Sequence, residues 1–180
     1  MHVAGDCAVA HVKMTLDPIP GLVSELAAAL RARRWFVATA ESCTGGMIAA
    51  ACTDLAGSSE WFERAVVSYS NEAKTALLGV PAALLQQHGA VSEPVALAMA
   101  TGLQRSNGVD LVVAVTGIAG PGGGTPNKPV GTVWFGFASR RSEGTVQADS
   151  EHRRFDGDRA QVRQAAVEHA LLGLLQRARA

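Results

Sequence analysis

Leu111-Val-Val-Ala-Val115, followed at once by Thr116-Gly-Ile-Ala-Gly-Pro-Gly-Gly-Gly124, decides the fold. Five consecutive apolar residues, three of them valine, read as a strand. The absence of polar alternation places that strand inside a sheet covered on both faces. A Gly-rich turn directly after a buried strand sits where open α/β sheets bind ligands, beyond the carboxyl ends of the strands. The glycines follow a GxxGxG order, which is neither GxGxxG nor a GxxxxGK[ST] loop, so no dinucleotide or P-loop assignment follows. A flexible connector is the competing reading of this stretch.

Upstream, Leu22, Leu26 and Leu30 recur every four residues and predict a helix over 21–34, with Arg31, Arg33 and Arg34 at its cation-favouring end. Trp35 to Ala40 reads as a short strand, and the small apolar run Gly45 to Leu55 as a buried helix. A second strand is expected over Arg64 to Ser70. Asn71 is expected to cap a helix running to Leu78, and Pro81 to His88 to form another. Ser92 is expected to cap a longer helix with Pro94 in its first turn. Downstream of the Gly-rich loop, Val133, Phe135 and Phe137 alternate with Thr132, Trp134 and Gly136 as in a strand. Residues 145–155 read as a polar paired strand. Asp156 to Arg177 reads as a final helix with Val167, Leu171, Leu174 and Leu175 on one face. The predicted fold is therefore α/β: a three-layer α/β/α sandwich on a mixed, mostly parallel sheet. Residues 18–180 make this single domain. Residues 1–17 are predicted to be a disordered extension, with Met14 as a second start.

Composition narrows the function. The 180 residues carry 16 basic and 16 acidic side chains, so the net charge is zero. That balance speaks against nucleic-acid binding by bulk charge neutralisation and against a polybasic membrane anchor. The apolar runs are too short for a bilayer span, and no signal peptide opens the chain. Three cysteines without a CxxC pair speak against a disulfide framework or zinc ribbon, and a cytoplasmic setting is expected. The histidines at 2, 11, 88, 152 and 169 form no HxH or HExxH pattern, so neither a metal nor a cofactor is expected. The neutral, Ala-rich chain is expected to form a homodimer or higher homo-oligomer.

Three constellations carry candidate chemistry beside the Gly-rich loop. Thr39-Ala-Glu-Ser-Cys-Thr-Gly-Gly46 joins a strand end to a helix start, where backbone N–H groups bind anions or a developing oxyanion. Ser42 is the candidate nucleophile there, and Glu41 a capping or orienting group. Cys43 is a rival without a neighbouring histidine. Tyr69-Ser-Asn-Glu-Ala-Lys74 puts a lysine in a first helical turn, where the helix dipole and burial both favour the neutral amine that can serve a serine as base. The chain has only Lys13, Lys74 and Lys128 among many arginines, and arginine cannot be such a base. Phe155-Asp-Gly-Asp-Arg159, with Arg163 one turn on, offers guanidinium groups for a phosphate or for surface pairs with Asp156 and Asp158. For each constellation a purely structural role is the alternative.

Taken in order, TAESCTGG, GSSEWFERAVVSYSNEAK, LLGV, QHGAVSE, VTGIAGPGGG…KPVGTVWFGF and FDGDRAQVR closely resemble the CinA C-terminal domain, over about residues 20–177. The chain resembles the stand-alone amidohydrolase form of that family, since the longer members carry a further N-terminal domain. The resemblance implies deamidation of nicotinamide mononucleotide (NMN) to nicotinate mononucleotide and ammonia. It puts the nucleophile at Ser42, the catalytic lysine at Lys74 and the catalytic tyrosine at Tyr69. Substrate contacts are expected from Thr44, Gly45, Gly46, Thr116, Gly117, Gly120 and Arg159. A related amidase on another nucleotide and a non-catalytic interaction module are the alternatives.

Overall fold

The computed structural model describes residues 17–140 and 145–180. The expected extension, apart from Asp17, lies outside the described residues. Eleven elements follow in order: α1 (Ile19–Arg33), β1 (Val37–Glu41), α2 (Met47–Thr53), β2 (Phe62–Val67), α3 (Asn71–Leu78), α4 (Ala82–His88), α5 (Glu93–Asn107), β3 (Leu111–Gly117), β4 (Thr132–Arg140), β5 (Val146–Arg154) and α6 (Arg159–Arg179).

The strands form one sheet in the order β2-β1-β3-β4-β5. β1 pairs parallel with β2 and β3, with Ala40 opposite Val66 and Ala114. β4 runs antiparallel between β3 and β5. Four strands thus point one way and β4 the other, and the pairings divide equally between parallel and antiparallel.

β3 is buried on both faces, as its apolar run requires, and its alternation is one of size. Leu111, Val113 and Val115 join Val37, Phe135 and Phe137 in a core with α1, α2 and α6. Val112 and Ala114 join Ala38, Ala40 and Ala138 in a second core with α4, α5 and the end of α3. Large side chains therefore face one helical layer and small ones the other. On the small side α5 comes so close that a Cβ on Gly136 would sit 2.2 Å from the Ala96 carbonyl oxygen. On the large side the helix gives way instead: a Cβ on Gly173 of α6 would meet the Phe137 ring at 2.4 Å. The Val133/Phe135/Phe137 alternation in β4 is hence not inside against outside, because Thr132 and Gly136 are buried too.

Several boundaries differ from the sequence expectation for local reasons. Ser70, not Asn71, caps α3: its Oγ accepts the Ala73 N–H at 3.0 Å. β2 closes at Val67, so Tyr69 lies in the connection beyond it. α2 starts at Met47 because Gly45 and Gly46 hold φ of +62° and +94°, outside the helical region. It is half-buried, resting on Ile48 and Cys52. Ser92 precedes α5, but its Oγ donates to Gly89 O and caps nothing. α6 begins at Arg159 behind a capping box: Asp158 accepts the N–H groups of Ala160 and Gln161, and Gln161 Oε1 accepts that of Asp158.

Candidate active site

The topology brings the sequence motifs to one place. After β1 the chain crosses by α2 on the α1/α6 side of the sheet. After β2 it returns by α3, α4 and α5 on the opposite side. Adjacent parallel strands whose connections leave to opposite faces open a crevice at their carboxyl ends. The Ser42 turn follows β1, the Ser68–Lys74 segment follows β2, and the Gly-rich loop follows β3 next door.

The turn after β1 is fastened by Glu41, whose side chain is fully buried. Its carboxylate accepts the N–H groups of Gly46 (2.9 Å), Ile48 (3.2 Å) and Ala49 (3.0 Å) and the Thr39 hydroxyl (3.2 Å). A carboxylate at the first turn of α2 thus fills the orphan donors that a capping side chain would fill. The Ser42 N–H donates to Val115 O, Gly45 N–H to Ser42 O, and Met47 N–H to Thr44 O. Among the described residues, no other residue accepts the N–H groups of Cys43 and Thr44.

Lys74 stands four residues into α3. Helical side chains lean towards the N-terminus, which aims its amine back at the loop before the helix. Nζ donates to Ser68 O at 2.8 Å and Tyr69 O at 3.3 Å, and it lies 3.1 Å from Ser42 Oγ. Lys74 is 1% exposed and Ser42 8%, so the pair is buried, with the serine the less deeply covered of the two. Burial holds the Lys74 amine below the usual lysine value of 10.5, and the Cys43 thiol opposes this weakly. The same burial pushes Cys43 up to about 11, which keeps it a thiol at neutral pH.

The remaining predicted residues fall into two groups. Arg159 donates to Gly120 O at 2.9 Å and to the Tyr69 hydroxyl at 3.0 Å, bridging the Gly-rich loop and the Lys74 segment. It pairs with neither Asp156 nor Asp158. The Tyr69 side chain is 61% exposed, and only its backbone carbonyl touches Lys74. Its hydroxyl therefore faces Arg159 and not the Ser42–Lys74 pair. Thr116 is buried, and its hydroxyl donates to Ala90 O at 2.9 Å, tying the loop to the segment after α4. Gly117 packs against Cys43: a Cβ there would meet Cys43 Sγ at 3.1 Å. Gly45 is exposed beside Ser42, whereas Thr44 is buried with an unpartnered hydroxyl.

Two residues that the sequence analysis named have an anchoring role it did not give them. Arg163 donates from Nε to Cys43 O (3.1 Å) and from a terminal nitrogen to Thr44 O (3.0 Å). Only its one-turn spacing from Arg159 hinted at a shared face. Lys128 donates to His88 O at 2.7 Å and so pins the loop to the end of α4. Among the described residues, no three His, Cys, Asp or Glu side chains converge as metal ligands. No helix among them is long and apolar enough to cross a membrane.

The sequence matches the CinA C-terminal domain family over residues 20–178. This chain belongs to that family. A family member from Escherichia coli K12, nicotinamide-nucleotide amidohydrolase PncC, is 50% identical over 163 residues, covering 91% of this chain and 96% of that one. The Pseudomonas putida protein of the same name is 52% identical over 161 residues, covering 89% and 98%. A CinA-like protein of Chlorobaculum tepidum is 52% identical over 145 residues, but the match spans only 34% of its length. Among solved structures, the competence damage-inducible protein A of Klebsiella pneumoniae superposes with a TM-score of 0.83 at 41% identity. It covers 88% of this chain and 96% of that one.

Proposed function

We propose that this protein is a nicotinamide-nucleotide amidohydrolase that converts NMN to nicotinate mononucleotide and ammonia through a Ser42–Lys74 pair. The carrying observation is the buried Lys74 amine, 3.1 Å from the Ser42 hydroxyl. The similarity to full-length proteins of that name, at about half identity over nearly the whole chain, supports the substrate.

A neutral amine has two N–H groups and one lone pair. Ser68 O and Tyr69 O take the two hydrogens, which turns the lone pair to Ser42 Oγ. Ser42 Oγ attacks the carboxamide carbon of the nicotinamide ring while its proton passes to Lys74 Nζ. The carbonyl π pair moves to oxygen, and the oxyanion accepts the free N–H groups of Cys43 and Thr44. As the tetrahedral centre collapses, the C–N bond breaks and the Lys74 ammonium protonates the leaving nitrogen, releasing ammonia. Water then attacks the resulting Ser42 ester, giving its proton to Lys74, and the second collapse returns that proton to Ser42. Arg159 spends two of a guanidinium's five donors on Gly120 O and the Tyr69 hydroxyl, leaving the others for the substrate phosphate. The exposed Tyr69 ring offers an electron-rich face to the cationic pyridinium.

The test is incubation with NMN, with ammonia and nicotinate mononucleotide measured. Ser42→Ala is expected to lower kcat by about 10⁴-fold or more while product binding persists. No release by the parent protein refutes the substrate, and near-normal turnover by Ser42→Ala refutes the nucleophile.

A further inference from the structure

We infer that Arg163 is a positioning residue that sets one oxyanion donor of the Ser42 turn, the Thr44 N–H, by holding the carbonyls of Cys43 and Thr44. This rests on the Ser42 reading above and deepens it.

Three observations carry the inference. Arg163 sits on α6, yet its half-buried guanidinium crosses to the turn and binds two consecutive backbone oxygens at 3.1 and 3.0 Å. Those oxygens belong to the two peptide planes that follow Cys43 and Thr44. A trans peptide is planar, so holding its oxygen fixes the direction of the N–H on its other side. The plane after Cys43 carries the Thr44 N–H, one of the two turn donors that nothing in the described structure accepts. The other N–H groups of the turn are already committed. Those of Gly46, Ile48 and Ala49 go to Glu41, that of Gly45 to Ser42 O, and that of Ser42 to Val115 O.

The charge of Arg163 has a second effect. A cation bonded to a carbonyl oxygen draws electrons through the amide and makes the N–H of the same plane a stronger donor. Glu41 and Arg163 therefore hold the turn from opposite ends. The carboxylate consumes the N–H groups at the N-terminus of α2, and the guanidinium holds the carbonyls of Cys43 and Thr44 just before it. Gly45 suits this turn because its backbone φ of +62° is one that side chains rarely adopt. Arg159, one turn earlier, hydrogen-bonds instead to Gly120 O and the Tyr69 hydroxyl. The two arginines thus divide the work: Arg159 faces the mouth of the site and Arg163 faces the reacting centre through backbone.

The experiment compares the parent protein with Arg163→Lys and Arg163→Met. Each is assayed on NMN and on p-nitrophenyl acetate, an ester that needs Ser42 and its oxyanion donors but no nucleotide contact. Removing one oxyanion donor outright costs about 10²–10³-fold in kcat, so misaiming one of two is expected to cost on the order of 10–100-fold on both substrates. KM for NMN and the affinity for nicotinate mononucleotide are expected to stay within about threefold, because Arg163 touches no substrate. Arg163→Lys, with one cation for two carbonyls, is expected to recover only part of the loss, and about 20 mM guanidinium chloride is expected to speed Arg163→Met.

Unchanged kcat in both variants overturns the inference. A rise in KM for NMN with ester hydrolysis intact also overturns it, since that pattern belongs to a phosphate contact. A loss of activity that tracks a loss of melting temperature in both variants overturns it as well. If the parent hydrolyses the ester but not NMN, the substrate assignment fails while the Arg163 inference is still decided by the ester.

Discussion

Replacing Lys74 with methionine separates catalysis from stability, and the structure sets both magnitudes. Methionine fills nearly the same volume in a site where Lys74 is 1% exposed, so no cavity opens. The change strips a donor from Ser68 O and from Tyr69 O, bonds of 2.8 and 3.3 Å. An unsatisfied buried carbonyl costs about 1–3 kcal/mol. The longer bond, beside the exposed Tyr69, is the easier to replace with water. Against this, the variant no longer buries an ionisable amine, whose charged form is penalised by desolvation. The two effects oppose, leaving a net change within about 2 kcal/mol, or about 8 °C in Tm for a chain of this size. Turnover of NMN is expected to fall by at least 10⁴-fold, over 5 kcal/mol in the barrier at about 1.36 kcal/mol per decade. Linkage gives a second signature. The folded-state value of Lys74 lies below its ordinary 10.5, so between the two values the unfolded chain binds the extra proton. Stability of the parent relative to Lys74→Met must therefore rise with pH across that window and level off above 10.5. In the same sense, kcat/KM falls on the acid side as Lys74 protonates. Urea melts at a series of pH values, with ammonia release as the activity assay, read both. A methionine variant with more than about 1% of parental kcat, or parallel stability curves, would refute the role of Lys74 as a neutral base.

Three further outcomes are expected. Glu41→Gln keeps one acceptor oxygen but turns an NH₂ group towards N–H donors, so Tm should drop by about 6–12 °C, a loss of about 3 kcal/mol readable by calorimetry. Tyr69→Phe should leave kcat within about threefold and raise KM for NMN about fivefold by freeing Arg159, whereas Arg159→Met should raise KM by about 10- to 100-fold; steady-state kinetics separate these from a loss of the base. Cys43, pushed up to about 11, should react with iodoacetamide only slowly at pH 8 and about tenfold faster per pH unit above it, as followed by peptide mapping against a denatured control.

The architecture was legible where hydrophobicity was unambiguous. The run Leu111 to Val115 marked the central strand, and the four-residue leucine spacing in α1 marked a helix. The Ser42–Lys74 pairing was reached from the scarcity of lysine together with the family resemblance. Periodicity could not distinguish Ser70 from Asn71 as the cap of α3, since both side chains can accept an N–H and only the folded backbone chooses. Nor could it reveal that Tyr69 serves Lys74 through its carbonyl while its hydroxyl serves Arg159. Arg163 illustrates the general reason. Its partners are main-chain oxygens about 120 positions away, and a carbonyl looks the same whatever residue bears it.

The division of large and small side chains across the sheet makes its two faces unequal before substitution. Towards α5, a methyl added at Gly136 must displace the helix backbone at Ala96, while the sheet's own contribution there, Ala38, Ala40, Ala114 and Ala138 beside Val112, leaves little to truncate. Towards α6, where Phe135 and Phe137 fill the core, truncation opens voids, while the helix glycine under Phe137 is the position that must not grow. At Gly136 and Gly173 sequence drift is thus limited by what can be added, and at Phe135 and Phe137 by what can be removed. The crevice that holds Ser42 and Lys74 opens at the carboxyl ends of the strands, between these two unequally filled faces.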